Sequence, residues 1–598
     1  MADGIPPTTA PIVLPDTVST SRVRRLLRRV RGQTVESKIK EPKVHSITEN
    51  SPGSSVIGKS PDADAKQARS DTYAEGGLTK FYEPIPEYEG RHRWDPRAEW
   101  SAAEEKKLIR KLDYRICSWA CLMFFALQLD RGNIVQAVSD NMLNDLDLNT
   151  NQYNYGQTIF YLCFLFAELP SQMISKKLGP DIWIPIQMCS WSVVAICQCK
   201  MTDRSGYYAT RAFLGLLEGG FIADVILYLS YFYKGTELPI RLSYFWGAYI
   251  STNIVSAFLA FGILRLGQTT SWAGWRWLFL IEGIVTAVIG ILSAAYLPPS
   301  PTQTKSWFRG KDGWFSDREE IIMVNRVLRD DPGKGGMHNR QGINFRLFWD
   351  SITDYDMWPI YLLGLTWSIP SQPITSYLTL TLRGLGWDTF EVNLLTIPAY
   401  VLFLIQLIFW TWLSEKINNR FLIVLFCQIY MLPILVALEI LPAGNAWGRY
   451  VLSILLVGFP YIHAIIGSIS LHPLGYRLYI VQKLIRTSAV ALTSRNAGSV
   501  RTRTIGSAIY NMTVQASNII SSNIYRDNDK PLYRRGNKAL LGIVAWNFVF
   551  IIAIKGYYMW RNASRETKWN AMTQEEKVQY LATTSDKGNK RLDFRFAH

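Results

Sequence analysis

Between residues 112 and 560 the chain carries about twelve runs of roughly 20 mostly apolar residues, each long enough for a helix to cross a hydrocarbon layer about 30 Å thick. They fall near 114–138, 153–174, 181–200, 206–233, 242–266, 275–297, 356–380, 392–413, 420–441, 448–466, 504–525 and 539–560. In lipid every backbone N–H and C=O must find a partner inside the protein, so only helices and closed barrels span a bilayer. Runs of this length fit helices, and the expected fold is an all-α membrane protein with twelve transmembrane helices. Average composition hides this. Of 598 residues 48% are hydrophobic, and mean hydropathy is only +0.04, because polar flanks dilute an apolar body.

Those flanks are residues 1–111 and 561–598, rich in polar and charged residues without a sustained apolar period, and they read as disordered tails. A polar stretch at 300–355 divides the spans into two sets of six, at 112–299 and 356–560. Within it, Ser316-Asp317-Arg318-Glu319 has the spacing of a capping box and opens a surface helix that ends near Asp331, before Pro332. Ser175-Lys176-Lys177-Leu178-Gly179 after the second span is echoed by Ser414-Glu415-Lys416-Ile417-Asn418 after the eighth, which fits two duplicated six-helix lobes. The first strongly apolar run starts only after residue 110, so the first span is expected to act as the insertion signal, with no cleavable leader.

Lys and Arg accumulate on the cytoplasmic side of membrane proteins. Asp140, Asp145 and Asp147 follow the first span with no base among them, whereas Lys176 and Lys177, Lys234 and Arg241, and nine bases between 300 and 355 follow even-numbered spans. Both termini are therefore expected in the cytoplasm. Arg526, Lys530, Arg534, Arg535 and Lys538, between spans 11 and 12, vote the other way.

The net charge of +16 is compatible with nucleic acid, an anionic membrane surface or an anionic substrate. Its distribution decides. Residues 112–299 and 356–466 each sum to −1, so the excess lies in the tails, the loops and the stretch from 467 onward. No nucleic-acid partner is expected. The seven cysteines sit in apolar runs without framework or metal-ligand spacing, so neither a disulfide scaffold nor a metal site is expected. Gly53-Ser54-Ser55-Val56-Ile57-Gly58-Lys59-Ser60 matches the phosphate-loop pattern GxxxxGK[ST]. It follows Pro52 and leads into Pro61, without the strand and helix that phosphate binding needs. ATP is therefore not expected as a cofactor. Arg22, Arg24, Arg25, Arg28, Arg29 and Arg31 interleave with Val23, Leu26, Leu27 and Val30, a pattern that fits either a basic helix on an anionic leaflet or a solvated tail.

A charge inside a spanning helix needs a partner or a wet cavity. Span 1 carries Asp130 and Arg131, with Asn133 just beyond as a candidate substrate contact, and span 4 carries Arg211 and Glu218, seven residues and so two turns apart on one face. Two acids and two bases suffice to bind an anion and to carry a proton, since guanidinium fits a carboxylate bidentately and a carboxyl in a dry cavity takes up a proton. The alternative is a structural network that ties spans 1 and 4 together. Glu168, Asp224, Asn253 and Glu282 read as interhelical contacts or interface residues. Asn511, Gln515 and Asn518 share one side of span 11. Pro370 and Pro373 break span 7 around Gln372, with Tyr377 one turn on, which makes Gln372 and Tyr377 candidate substrate or gate residues. His463, beside Tyr461, is a candidate proton sensor or a packed histidine.

Leu129-Asp130-Arg131-Gly132-Asn133, the Arg211 to Glu218 segment, Gly274-Trp275-Arg276-Trp277-Leu278-Phe279 with Ile281-Glu282-Gly283, and Asn523-Ile524-Tyr525-Arg526 with Pro531-Leu532-Tyr533-Arg534-Arg535-Gly536-Asn537 resemble major facilitator transporters of the anion:cation symporter group, and within it the fungal allantoate permease subfamily. The resemblance runs from about Asp113 to Trp560. It implies the major facilitator fold, alternating access, and proton-coupled uptake of a small organic anion such as a ureide, a vitamin or a dipeptide. It also implies that Asp130 and Glu218 handle protons while Arg131 and Arg211 engage substrate or partner acids. Relative to that family, Gly467–Thr493 is an insert, either retained intronic sequence or a true cytoplasmic loop, and the sequence of the transcript separates the two.

The expected function is a plasma-membrane secondary transporter, not an enzyme, working as a monomer on a small carboxylate with a proton gradient as its only driving force. A proton-driven exporter of a secondary metabolite and a nutrient receptor without net transport stand as alternatives.

Overall fold

A computed structural model describes residues 83–460 and 500–596, except 87, 235–236, 331–333, 335–348, 350–351, 418–419, 443, 531, 585–587 and 593. The phosphate-loop pattern at 53–60, the basic segment 22–31, Tyr461, His463 and the insert 467–493 lie outside the described residues.

The first lobe holds α2 (Ser118–Ser139), α3 (Thr150–Leu178), α4 (Pro180–Cys197), α5 (Arg204–Glu218) with α6 (Phe221–Phe232), α7 (Leu238–Ile263) and α8 (Gly274–Tyr296). Helices α5 and α6 together make the fourth span. Polar side chains fix the helix starts. Asn149 and Gln152 form a reciprocal capping box on α3, and Asp203 accepts from the Gly206 amide at the start of α5.

Glycines bring spans 2 and 4 together. A Cβ on Gly215 would stand 2.3 Å from the Phe160 carbonyl oxygen, and one on Gly219 would stand 2.6 Å from the Ala167 Cβ. This is the small-xxx-small pattern of close helix packing in membranes. Gly215→Val is therefore expected to push α5 off α3 and to cost about 1–3 kcal/mol, read as a lower melting temperature of the purified protein. An unchanged melting temperature would remove the close-packing argument.

The second lobe begins with the broken seventh span. Helix α10 (Trp358–Thr366) ends before Pro370, and the chain resumes as α11 (Gln372–Ser376) and α12 (Leu378–Gly384), as the two prolines predict. Then come α13 (Thr389–Leu395) with α14 (Ile397–Ile417), α15 (Arg420–Ile440), α16 (Ala446–Val457), α17 (Val500–Ser521) and α18 (Arg534–Ala571). Twelve spans in two six-helix lobes result. Eight of the described helical segments are long and apolar enough to cross a membrane by length and composition. The first, seventh, tenth and eleventh spans fall short, because they are polar, broken or only partly described.

Both tail expectations need correction. Ala102–Leu112 is a helix, α1, closed by a capping box between Ser101 and Glu104. It packs with residues 83–100 onto α9 (Asp317–Asp330), the helix whose capping box was legible at Ser316 and Glu319. Lys111 meets Glu319 at 2.7 Å, and Arg93 meets Glu320 at 2.8 Å. Arg326, which is 1% exposed, donates to Glu237 and to the Phe232 carbonyl, each at 2.8 Å, and so fastens α9 to the first lobe. At the other terminus α18 runs on to Ala571, and α19 (Gln574–Thr583) follows. Asn562 there exchanges two hydrogen bonds with the Phe596 backbone, and Arg565 donates to the Asn589 carbonyl. These segments look disordered because their partners are polar and far off in sequence, leaving no apolar period to read.

Two apolar cores have different reach. One lies within the first lobe and includes Leu108 of α1 and Met323 and Val327 of α9. The other runs through the second lobe, from Met357 and Tyr558 to Leu378 and Leu540, and takes in Ile134 and Trp275 of the first lobe at the end where Asp140 and Asp527 lie. Hydrogen bonds between the lobes gather at that same end. The Tyr377 hydroxyl donates to Asn154, Asn154 donates to the Tyr525 carbonyl at 2.6 Å, Asn523 donates to Thr158 at 2.8 Å, and Arg383 donates to the Ser139 carbonyl and to Asn141. The basic residues between spans 11 and 12 sit here too, with Asp527 accepting from the Thr150 amide.

Candidate functional site

Asp130 and Arg131 are neighbours on α2, so they point about 100° apart and serve different partners. Asp130 is fully buried, and its Oδ2 accepts from the Trp191 indole of α4 at 3.1 Å. Arg131 turns to α5, where its Nε meets Glu218 Oε2 at 2.6 Å, the side chains being 16% and 1% exposed. The guanidinium lies 4.7 Å from the Phe164 ring and 5.7 Å from Phe160, faces that favour a desolvated cation. Neither ion is saturated. Arg131 NH2 and Glu218 Oε1 are buried without a hydrogen-bond partner.

The local chain explains where Glu218 stands. Gly220 has φ +86, a left-handed conformation natural to glycine, and α5 ends two residues before it, at Glu218. Such a break frees carbonyls inside the membrane. Gln187 satisfies two of them, donating to Leu217 O at 3.2 Å and Gly219 O at 3.0 Å.

Arg211 and Glu218 share a helix face as expected, yet they do not pair. Arg211 NH2 donates to the neutral Gln198 Oε1 at 2.6 Å, and the guanidinium lies 6.0 Å from the Tyr207 ring. The four charges thus resolve into one ion pair, one guanidinium held by an amide and one acid held by an indole. Trp191 and Gln198 escape sequence reasoning, because no spacing in an apolar run tells which helix a side chain will meet.

Asn133 lies one turn from Asp130 on α2, 0% exposed, with neither amide atom hydrogen-bonded. It faces Glu282 of α8, not Arg131. Glu168 lies near both Arg131 and Asn511 of α17, and Asp224 lies by Ser171 and Ser175. Asn518 donates to Gln515 at 3.2 Å along α17, and Asn253 lies by Tyr249. Gln372 is half-buried at the start of α11. Tyr377 is 2% exposed and joins the lobes through Asn154, within an aromatic cluster that includes Tyr153, Tyr525 and Tyr533. Among the described residues no group of His, Cys, Asp and Glu is arranged to hold a metal ion.

A titratable group outside the spans sits at the inter-lobe contact. Asp140, just past α2, accepts from the Trp275 amide at 2.8 Å and so caps α8. Burial pushes its pKa up to about 6 against the opposing pull of the Trp275 amide and the nearby Arg383. Asp140 is packed against Gly274 and Trp275 of its own lobe, so its burial persists when the lobes separate while Arg383 leaves, which raises the pKa further and makes the parted state bind the proton more tightly. Acidifying the Asp140 side through about pH 6 is therefore expected to favour parting of the lobes at this end. Spin-label distances between the lobes at this end should lengthen as the pH falls, and Asp140→Asn should remove the dependence.

Buried charges tied to partners on other helices, a shared core at one end of two lobes and a broken seventh span are features of a helical carrier. The Major Facilitator Superfamily model matches residues 120–522. The chain is 44% identical over 513 residues to an uncharacterized transporter of Saccharomyces cerevisiae, YIL166C, covering 86% of this chain and 90% of the relative. Its fold is similar to that of a bacterial homologue of the human lysosomal transporter Spinster in an inward-facing, unoccupied conformation, with TM-score 0.51, 13% identity, and coverage of 77% of this chain and 97% of that one. It is also similar to the Escherichia coli xylose transporter XylE in a partially occluded inward-open conformation, with TM-score 0.50, 12% identity, and coverage of 74% and 98%. Sequence and fold agree that this chain is a membrane transporter, not an enzyme, and belongs to the Major Facilitator Superfamily.

Proposed function

We propose that this transporter carries a small organic anion together with a proton across the plasma membrane by alternating access, as a monomer with both termini in the cytoplasm, and that it belongs to the anion:cation symporter group near the allantoate permeases. The observation that carries the reading is the buried Arg131–Glu218 pair, in which each ion keeps an unbonded polar atom. A substrate carboxylate fits the free side of the Arg131 guanidinium. As it arrives, Glu218 loses its share of positive charge in a dry site and takes up a proton. Anion and proton then cross together as a neutral load, which avoids moving bare charge through low dielectric. Asp130 is the second station on the path of that one proton, Arg211 the second cationic contact, and Gln372 and Tyr377 line the substrate route from the second lobe. On this reading the Asp140 end faces outward.

The test is uptake of a panel of radiolabelled ureides, vitamins and dipeptides by cells expressing the protein, at acidic and near-neutral external pH, with and without a protonophore. Accumulation of one such anion that rises in acid and collapses with the protonophore is expected. Uptake of an anion that ignores the protonophore would overturn proton coupling.

A further inference from the structure

The sequence groups Glu282 with Glu168, Asp224 and Asn253 as interhelical contacts or interface residues, and the structure gives it the least explained position of the four. It lies on α8, 1% exposed, and both of its carboxyl oxygens are buried without a hydrogen bond. Helix α8 runs antiparallel to α2, the Trp119 indole donating to Ser293 near one end and the Trp275 amide to Asp140 at the other, so Glu282 stands level with Asp130, whose Oδ1 is also unbonded. Two further side chains point at this spot. Asn133, one turn along α2 from Asp130, faces Glu282 with both amide atoms short of a well-formed hydrogen bond. Thr286, one turn along α8 from Glu282, faces Asp130 with its hydroxyl unbonded. The quartet is made by i, i+3 spacing on one helix meeting i, i+4 spacing on another.

The surrounding charges do not balance. Asp130, Glu218 and Glu282 are three acids, and Arg131 and Arg211 are two bases. Arg131 is committed to Glu218 and Arg211 to Gln198. The groups that face the dyad from the packed helices are the Trp191 indole on α4 and, acting on Asp130 from α5, Glu218 and Arg211. Where α4 meets α8 next to Glu282, the contact is Ile196 and Ala195 against Gly283, and Cys189 stands two turns away at Gly290. Near the far end of that contact Lys200 lies over the Trp272 ring and Arg276 donates to the Cys199 carbonyl. No base reaches Glu282. Two carboxylates side by side in a dry site do not both ionise.

We propose that Asp130 and Glu282 hold a single proton between them, which makes Glu282 a proton-binding residue of this transporter. The proton forms an O–H bond to one carboxyl or the other, leaving the pair with one negative charge. Its release leaves two carboxylates, so release requires a positive charge to approach. Arg211, held now by a neutral amide, is the group placed to supply it. The proposal deepens the proton-coupled reading and rests on it for the proton's movement, although occupancy of the dyad is measurable without transport.

The experiment is infrared spectroscopy of the full-length protein in lipid nanodiscs, comparing wild type with Glu282→Gln and Asp130→Asn near neutral pH in water and in deuterium oxide. The wild type is expected to show a protonated-carboxyl stretch that shifts in deuterium oxide. Glu282→Gln should move it to a shifted frequency, because the proton then has Asp130 alone to bind. Asp130→Asn should keep it at a shifted frequency, because Glu282 has no base to ionise against. A Glu282→Gln spectrum identical to wild type in this region overturns the proposal. So does loss of the wild-type band when sodium replaces potassium at fixed pH, which would make the quartet a metal-cation site. If Glu282→Gln fails to fold, Glu282→Asp takes its place, and a spectrum identical to wild type in this region overturns the proposal. Protonophore-insensitive anion uptake alongside an intact dyad band would sink the symport reading alone. An unchanged Glu282→Gln spectrum alongside protonophore-sensitive uptake would sink the dyad alone.

Discussion

Glu218→Gln is expected to abolish concentrative uptake while leaving exchange of preloaded substrate. With one proton moved per monoanion the cycle is electroneutral, and a pH gradient of one unit supplies about 1.4 kcal/mol, or about a tenfold accumulation ratio. A glutamine keeps a hydrogen bond to Arg131 but carries no proton, so the accumulation ratio should fall to unity at every imposed gradient. Arg131 then loses its ionic partner, and carboxylate binding at equilibrium should tighten. The measurement is substrate distribution in proteoliposomes under a series of pH gradients, with counterflow measured in parallel. Accumulation by the Gln variant that still tracked the gradient would place the coupling proton elsewhere.

The second large effect concerns stability. Asp356, at the start of the second lobe and 1% exposed, accepts from Arg561 at 3.0 and 2.9 Å, from Arg565 at 3.1 Å and from the Tyr557 hydroxyl at 2.6 Å, while its backbone carbonyl takes the Tyr558 hydroxyl at 2.8 Å. This knot pins the start of α10 to the part of α18 that runs past the expected span end. Removing one partner of a buried ion pair strands the other, at a cost of about 3–5 kcal/mol. Asp356→Ala is therefore expected to lower the melting temperature of the purified protein by on the order of 10 °C. Lys530 and Asp527, each 41% exposed, form the control: an exposed pair of this kind contributes about 0–1 kcal/mol. If Asp356→Ala and Lys530→Ala melted alike, the knot would be incidental to stability.

The charges at the centre of this protein were legible because membranes make them rare. Asp130, Arg131, Arg211 and Glu218 stood out in apolar runs, and the structure gathers them in the first lobe. Their pairing was not legible. Helix periodicity put Arg211 and Glu218 on one face, but each found its partner on a different helix, Gln198 and Arg131, and periodicity carries no information across helices. Glu282 was undervalued for the same reason, since its meaning lies in Asp130 and Asn133 on α2. The break in span 7 was readable from Pro370 and Pro373, whereas the partner of Tyr377, residue 154 in the other lobe, was not. The ordered ends failed in a different way. Ser101 and Glu104 already spelled a capping box, but polar composition outweighed it. The helix is held by Lys111, Arg93 and α9, contacts that a search for apolar periods passes over.

The aromatic cluster of Tyr153, Tyr207, Tyr377, Tyr525 and Tyr533 has an electrical consequence. With the apolar core shared by the lobes, it forms a septum of low polarisability between the buried charges and the Asp140 surface. A membrane voltage falls most steeply across its least polarisable layer, and each elementary charge that crosses 100 mV exchanges about 2.3 kcal/mol with the field. The septum therefore acts as the dielectric of a small capacitor. A bare ion crossing it registers as gating current, while a proton and an anion crossing as a neutral pair leave it silent.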